Sequence, residues 1–416
     1  MGTEKNRAKK SGIGRKRSQN FHAKVFQSRE ISGLRLEKWA NLGTSISHAE
    51  DKTVFVKAGI PGETVDVRID KENSKLIWGR VTSVEKPSPL RIASDCSSFP
   101  ECGGCSYRHI TYEEELRIKK ELLLETFLRA LKISKSDIPS IEILSGPSEG
   151  YRNTAQIKIQ KTKGKIQAGF FQENSNSLVP FPEEGCKNLP KEMNEFIHKN
   201  LEKRGSVFGS KDWKLRYSLG TILEYDRSEV KIGPFLPENL EWAIPAEGFT
   251  QVNRFLLEDW MKKIRSWIPE NTGKVLEFYC GAGLISLAIA SRVGGLAGFE
   301  LSKSSVEAAK KNSEKAGFSH LEFTAMDLDS TLPKELSGSG SKLCILNPPR
   351  AGASANLLNF FNNLKPNRII YSSCNHTTLA RDLSLLESFG YRLKEIVLTD
   401  FFPRTQHFEV LVLLEL

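Results

Sequence analysis

Between Ile31 and Val84 apolar and polar positions alternate in short runs separated by turn residues. Thr53-Val54-Phe55-Val56 is followed by Ile60-Pro61-Gly62-Glu63, and then Val65, Val67 and Ile69 alternate with Asp66 and Arg68. Period-two runs around a Pro-Gly turn predict antiparallel strands, and a further strand pair around Leu76 to Val84 completes a small barrel of the OB type. From residue 111 to 132 the period changes: Leu116, Leu122, Leu123, Leu124, Phe127, Leu128 and Leu131 share one side of a charged run and predict a helix, read as a connector. Residues 151–245 return to strand-like pieces, Ile157 to Gln160 and Ile166 to Phe171, between lysine-rich loops. A largely antiparallel β domain is expected there, with Lys158, Lys161, Lys163 and Lys165 along a possible nucleic-acid path.

The remaining third alternates buried strands with helices. Strands are predicted at Lys274 to Phe278, Gly295 to Phe299, His320 to Thr324, Leu343 to Leu346 and from Arg368 to about Ser373, with helices at Ile285 to Ala290, Ser304 to Ala316 and from Thr377. Tyr391 to Leu398 and His407 to Glu415 form a closing antiparallel pair. The expected fold is multidomain α/β: a basic disordered arm (1–24), an OB-like β-barrel (25–90), a cysteine segment with the central antiparallel β domain (91–248), and a Rossmann-like α/β domain (249–416).

Chemistry concentrates at the carboxyl ends of the strands of this last domain, where open α/β sheets bind ligands. Tyr279-Cys280-Gly281-Ala282-Gly283-Leu284 joins the first strand to its helix, and Gly281 and Gly283 let a cofactor approach the backbone. Ser286 stands where a dinucleotide fingerprint has its third glycine, which argues against NAD. The second strand ends at Glu300, suited to accept hydrogen bonds from ribose hydroxyls, and the third ends near Asp327; this order is the class I methyltransferase arrangement for S-adenosylmethionine. The fourth strand ends at Asn347-Pro348-Pro349-Arg350 and the fifth at Cys374, which is either a core thiol or a nucleophile whose pKa the following helix N-terminus lowers. In the final strand Glu409 shares its face with Leu411 and Leu413, where desolvation would raise a carboxyl pKa toward that of a useful base.

Composition adds three constraints. Hydrophobic residues at 39% and charged residues at 26% describe a soluble chain, and no apolar run reaches the length of a membrane helix. With no apolar signal segment at the start, the expected location is the cytoplasm. The balance of 60 Lys+Arg against 50 Asp+Glu is concentrated in residues 1–24, where eight basic residues face the single Glu4, and suits a polyanionic partner. The 7 cysteines do not form a secreted disulfide framework; Cys96, Cys102 and Cys105 are closely spaced around Gly103-Gly104, with Cys186 a distant fourth. Four thiolates hold a 4Fe-4S cluster or a tetrahedral zinc, and spacing does not choose between them.

Two resemblances organise these features. Val54-Phe55-Val56-Lys57-Ala58-Gly59-Ile60-Pro61-Gly62-Glu63-Thr64-Val65 resembles the central signature of the TRAM domain, an RNA-binding module. Phe249-Thr250-Gln251-Val252-Asn253, the Tyr279 to Gly283 turn, Asn347-Pro-Pro-Arg350, Ser373-Cys374-Asn375 and Asp400 to Glu409 together resemble the RNA 5-methyluridine methyltransferase family, from about residue 30 onward. The resemblance implies Cys374 as nucleophile and Glu409 as base. It puts Gln251, Tyr279, Leu284, Glu300 and Asp327, with Gly281, Gly283 and Asn347, at S-adenosylmethionine-binding positions, and makes Cys96, Cys102, Cys105 and Cys186 ligands of a 4Fe-4S cluster rather than zinc. The combination of TRAM-like and cluster-like features is similar to the branch acting on 23S ribosomal RNA. A monomer acting on RNA is therefore expected, with transfer RNA as alternative substrate and a catalytically impaired RNA-binding assembly factor as alternative function. Three positions depart from the family pattern: Asn347 stands where Asp is usual, Leu284 where Asn is frequent, and Asp327 replaces another polar residue.

Overall fold

The structure is a computed structural model that describes residues 29–416 apart from 163–164, 174, 209–211, 225–228, 233–241, 246–247 and 333–342. The basic arm 1–24 and Lys163 lie outside the described residues. Strands β1 (Glu30–Arg35), β2 (Lys38–Ala40), β3 (Thr44–Ala49), β4 (Lys52–Lys57), β5 (Thr64–Glu72) and β6 (Leu76–Lys86) form one sheet in the order β1-β5-β6-β4-β3-β2. Its pairs are antiparallel except β4 with β6. The alternation seen in the sequence is obeyed: Val54, Val56, Val65, Val67 and Ile77 are sealed in its core, while Phe55 and Trp78 stack on the other face with ring centroids 6.0 Å apart.

Helix α1 (Tyr112–Leu131) begins at Thr111, whose hydroxyl accepts from the Glu114 amide, and strand β7 (Ile141–Leu144) follows. Strands β8 (Thr154–Thr162), β9 (Lys165–Phe171), β10 (Leu178–Pro180), β11 (Asp212–Ser218) and β12 (Thr221–Glu224) make an antiparallel sheet in the order β10-β9-β8-β11-β12. Helix α2 (Lys191–Phe208) packs Met193 and Ile197 on it. Lys158 is engaged by Asp212 at 2.8 Å and lies over the Phe171 ring, so it lines this sheet with its charge already partnered. β13 (Glu229–Ile232) and β14 (Trp242–Pro245) form a separate hairpin-like pair.

The carboxyl-terminal sheet combines β15 (Thr272–Phe278), β16 (Val293–Glu300), β17 (Leu321–Ala325), β18 (Leu343–Leu346), β19 (Arg368–Ser373), β20 (Arg392–Thr399) and β21 (Glu409–Glu415) with β7, in the order β17-β16-β15-β18-β19-β21-β20-β7. β15 to β19 are parallel, and β21 runs against both β19 and β20. Helices α3 (Leu257–Ser266), α4 (Leu284–Ile289), α5 (Lys303–Lys315), α6 (Ala355–Leu364) and α7 (His376–Ser388) flank it. Because both faces are covered, β18 and β19 are nearly continuous apolar runs. The strand order reverses between β15 and β18, so the crevice outside their carboxyl ends is where such a sheet takes a ligand.

One expectation is corrected here. Residues 112–144 were assigned with the cysteine segment, yet α1 buries Leu123, Phe127 and Leu131 in the core shared with Leu379 and Leu383, and β7 pairs in parallel with β20. Amphipathic periodicity identifies a helix with one buried face but not the sheet that face covers. A buried ionic knot fixes this arrangement: Lys119 Nζ donates to Glu115 (2.7 Å) and Asp400 (2.8 Å), and Tyr112 Oη donates to Asp400 (2.8 Å). Charges removed from water need such mutual satisfaction to persist. The knot reaches the cysteine segment, because Arg404 N donates to Glu115 while Ser106 N and Tyr107 N donate to the Arg404 carbonyl. Among the described residues no helix is long and apolar enough to cross a membrane.

Candidate active site

At the carboxyl ends of β15, β16, β18 and β19 the chain encloses a cavity of about 840 Å³. Its lining includes Gln251, Tyr279, Gly281, Leu284, Glu300, Asp327, Asn347, Cys374 and Glu409, so residues from separate motifs between Gln251 and Glu409 come to one place. Gly283 caps α4 with φ +81, and at Gly281 (φ +56) a Cβ would meet nothing within 4 Å, leaving open space beside the backbone for a ligand. Glu300 is held by the amides of Gly281 (3.2 Å) and Ser302 (2.8 Å), which fixes one carboxylate at the cavity wall. Trp242 Nε1 and Asn312 Nδ2 both donate to the Ala282 carbonyl, docking β14 and α5 on the glycine turn.

Cys374 follows the last residue of β19, and Asn375 caps α7: its side-chain oxygen accepts from the amides of Thr377 (3.1 Å) and Thr378 (3.4 Å). The first-turn amides expected to favour the thiolate are therefore already used. Burial pushes the Cys374 thiol above its ordinary value and the Glu409 carboxylate adds to this, while Arg350 beside the sulfur opposes both. The expectation of a lowered thiol pKa is thus corrected in sign, and thiolate formation falls to Arg350. Asn375 Nδ2 (3.0 Å) and Thr378 Oγ1 (3.2 Å) donate to the Arg350 carbonyl, tethering the Asn347 to Arg350 turn next to the sulfur.

Glu409 begins β21, two residues after the start predicted for that strand at His407, and is fully buried. Burial pushes its carboxyl up to about 7, and the Ser372 hydroxyl, donating to Oε1 at 2.6 Å, opposes that rise. Ser372 was not singled out by the sequence, since a serine in a buried strand carries no signal until its diagonal partner across β19 and β21 is known. With Ser372→Ala the carboxyl loses its donor and its pKa rises further, so, with Glu409 as the expected base, the acidic limb of the rate profile should move to higher pH; rates measured between pH 6 and 9 on the purified variant test this, and an unmoved limb would detach Ser372 from the titrating group.

A second buried carboxyl, Glu277 on β15, borders the cavity and was also missed. It is pushed up to about 8 by burial and receives a hydrogen bond from the Ser286 hydroxyl. The residue in the place of the third glycine is therefore its partner. The signal was present, an acid inside the apolar run Val275-Leu276-Glu277-Phe278, and is of the same kind that marked Glu409.

A separate cavity of about 290 Å³ is lined by Cys96, Cys102, Cys105 and Cys186. Gly104 N donates toward Cys102 Sγ (3.4 Å), and Arg108 Nε (3.3 Å) and Asn188 Nδ2 (3.4 Å) toward Cys105 Sγ. Such donors favour thiolates, whereas burial pushes Cys102 up to about 11 and Cys186 to about 12. Among the described residues no three Cys, His, Asp or Glu side chains converge closely enough to hold a single metal ion.

Comparison with known proteins bears on this geometry. Residues 238–416 match the family model described as tRNA (Uracil-5-)-methyltransferase. An uncharacterized RNA methyltransferase of Leptospira interrogans (serogroup Icterohaemorrhagiae serovar Lai) is 44% identical over 390 residues, covering 92% of this chain and 94% of the relative. The chain belongs to the RNA uracil-5-methyltransferase family. Within the family, the 23S rRNA (uracil(1939)-C(5))-methyltransferase RlmD of Marinomonas sp. (strain MWYL1) is 28% identical, over 94% of this chain and 95% of the relative. Among solved structures the fold is similar to that of Pyrococcus abyssi tRNA (uracil-54, C5)-methyltransferase in complex with S-adenosyl-L-homocysteine, with a TM-score of 0.69, 22% identity and coverage of 92% of this chain and 99% of that one. The family takes its methyl group from S-adenosylmethionine, and the chain is an RNA methyltransferase of this kind.

Proposed function

We propose that this enzyme forms 5-methyluridine in RNA, 23S ribosomal RNA in the first instance, with Cys374 as nucleophile and Glu409 as general base. The observation carrying this reading is one cavity bordered by a thiol at a strand end, a fully buried carboxyl with a pKa near neutrality, and an open glycine turn. Carbon 5 of uracil is a weak nucleophile, so Cys374 Sγ adds to carbon 6 and places the electron pair of the ring double bond on carbon 5. Gly281, Glu300 and Asp327 would hold S-adenosylmethionine, whose methyl group would pass from the sulfonium to carbon 5, the sulfur leaving as the neutral thioether S-adenosylhomocysteine. Glu409 then removes the proton from carbon 5, and the Cys374 sulfur leaves as the ring double bond re-forms. Uracil reaches such a cavity only when flipped out of its stack or taken from a loop. Asn347 contributes a neutral amide to the cavity wall where the family pattern has a carboxylate.

Ribosomal RNA is favoured over transfer RNA by end-to-end similarity to relatives named for 23S rRNA. The β1–β6 sheet is read as a TRAM-type RNA-binding barrel, and residues 1–24 as a basic arm for phosphates. Nucleoside mass analysis of ribosomal and transfer RNA from cells with and without this gene should show 5-methyluridine missing from one 23S position only; loss from transfer RNA would reverse the choice, and loss from neither would favour the assembly-factor alternative.

We read the four-cysteine cavity as the seat of a 4Fe-4S cluster. A tetrahedral zinc with Zn–S of about 2.3 Å requires its ligands drawn together around one point, whereas thiols that border a wider cavity suit a multi-atom cluster. The mechanism contains no redox step, so the role is structural: Ser106 and Tyr107, next to Cys105, hold the Arg404 carbonyl on the loop leading to Glu409. Cys102→Ser is expected to lose iron and sulfide and to lower the melting temperature of anaerobically purified protein, and full iron retention would remove Cys102 from the ligand set.

A further inference from the structure

We propose that the outer face of the β1–β6 sheet carries a stacking platform for unpaired RNA bases, built from Phe55 and Trp78 with Lys71 over the indole. The inference rests on the RNA reading above and adds the site where single-stranded RNA is held away from the reacting uridine. Cross-strand register draws one row over the sheet: Lys38 opposite Ile46, Ile46 opposite Phe55, Phe55 opposite Trp78, and Trp78 opposite Lys71. The neighbours Val54, Val56 and Ile77 point the other way into the sealed core, so the row is not needed to fill it.

On this face an ordinary sheet would carry polar side chains. Instead Phe55 and Trp78, both partly exposed, lie nearly parallel at 14° between their planes. Lys71 Nζ stands 5.3 Å from the Trp78 ring centroid. Aromatic faces accept any base, and a cation beside them meets the phosphate between bases. The ends of the row support a nucleic-acid occupant over a protein one: Lys38 and Lys71 are exposed, and neither forms an ion pair among the described residues. The two acids that flank Lys71 in the sequence are ion-paired, Glu72 with Lys52 and Arg29 and Asp70 with Arg80, and Glu37 beside Lys38 is bonded to His48.

Position along the strands gives the platform a direction. Two residues further on the same sides of β4 and β6, Lys57 Nζ donates to the Cys102 carbonyl (2.9 Å) and Arg80 Nη1 to Glu101 (2.6 Å). An RNA strand stacked on Phe55 and Trp78 would therefore have the cysteine segment beside the row, two residues along the strands, and that segment is bonded to the loop before Glu409.

The test uses the full-length protein and a fluorescein-labelled oligouridylate, with a self-complementary duplex RNA as comparison. Each of Phe55→Leu and Trp78→Leu keeps apolar bulk without an aromatic face and is expected to weaken oligouridylate binding by about tenfold. Trp78→Phe should restore most of the affinity. Duplex binding should be unchanged in all three. Lys71→Gln should reduce the salt dependence of binding, which the two leucine variants should leave intact. Melting temperature and S-adenosylmethionine binding report folding, and none of the three residues lines the cavity proposed for S-adenosylmethionine. Wild-type affinity in the Phe55→Leu/Trp78→Leu double variant, or equal losses on duplex and single strand, would overturn the platform while leaving the methyltransferase reading untouched. Failure of the wild-type protein itself to bind oligouridylate, with methylation of RNA intact, would also remove the platform, whereas absence of both binding and methylation would remove the RNA reading.

Discussion

Replacement of Cys374 by alanine is expected to lower RNA methylation by at least about 10⁴-fold: Cys280, also on the cavity wall, is held far above its ordinary thiol pKa by burial, and without thiolate addition at carbon 6 carbon 5 is not nucleophilic. Cys374→Ser should be nearly as inactive, since an alcohol held among buried groups does not ionise as a thiol does. Both variants should still bind S-adenosylmethionine, which is proposed to rest on the glycine turn and Glu300; equilibrium dialysis and transfer of labelled methyl groups separate the two effects. Methylation at a comparable rate by Cys374→Ala would remove the thiol from the mechanism. Reactivity toward iodoacetamide offers a second measurement. Burial and Glu409 raise the thiol and Arg350 opposes them, so alkylation in the wild type should increase with pH beyond the range of a free cysteine, and Arg350→Met should move the increase to still higher pH.

The position of this cysteine could be read in advance, and its electrostatics could not. An apolar run ending at Ser373-Cys374-Asn375 before a helical pattern puts the sulfur at the carboxyl edge of a parallel sheet, and β19 and α7 meet there. Whether helix amides reach the sulfur depends on the neighbour's rotamer, and Asn375 folds back on its own helix instead. Glu409 was visible for the opposite reason: strand alternation has period two, so a carboxylate among leucines announces its own burial. The same logic applied to β15 would have found Glu277. What periodicity cannot carry is partnership between distant segments. α1 was recognisable as an amphipathic helix, but only the Lys119, Glu115 and Asp400 knot shows that it braces the loop before β21. Likewise Ser372 acquires meaning only through the register that sets it beside Glu409.

Replacement of Glu409 by glutamine should give a different failure from loss of the thiol. Cys374 can still add to carbon 6 and the methyl group can still be transferred, but without a base the carbon 5 proton stays and the sulfur cannot leave. The expected result is a covalent RNA–protein adduct, seen as a slower band in denaturing gels and removed by Cys374→Ala in the double variant, together with turnover lowered by about 10²–10⁴-fold. A variant with normal turnover and no adduct would assign the proton to another group. The pH profile follows from the same carboxyl. As the proposed base Glu409 acts only when ionised, and burial holds its pKa at about 7, so wild-type turnover should fall as pH drops through neutrality; above neutrality it should keep rising as the Cys374 thiol, which burial and Glu409 raise, ionises. Stability should respond in the reverse sense. A carboxyl whose pKa is raised in the folded state weakens folding as pH climbs from the ordinary carboxylate range to about 7, so Glu409→Gln should melt at a higher temperature than the wild type at pH 8 and lose that advantage in acid. A base kept at a cost to the fold, in contact with a single serine donor, is what a proton acceptor used once per turnover requires, and thermal melts of the two proteins across that pH range measure the cost directly.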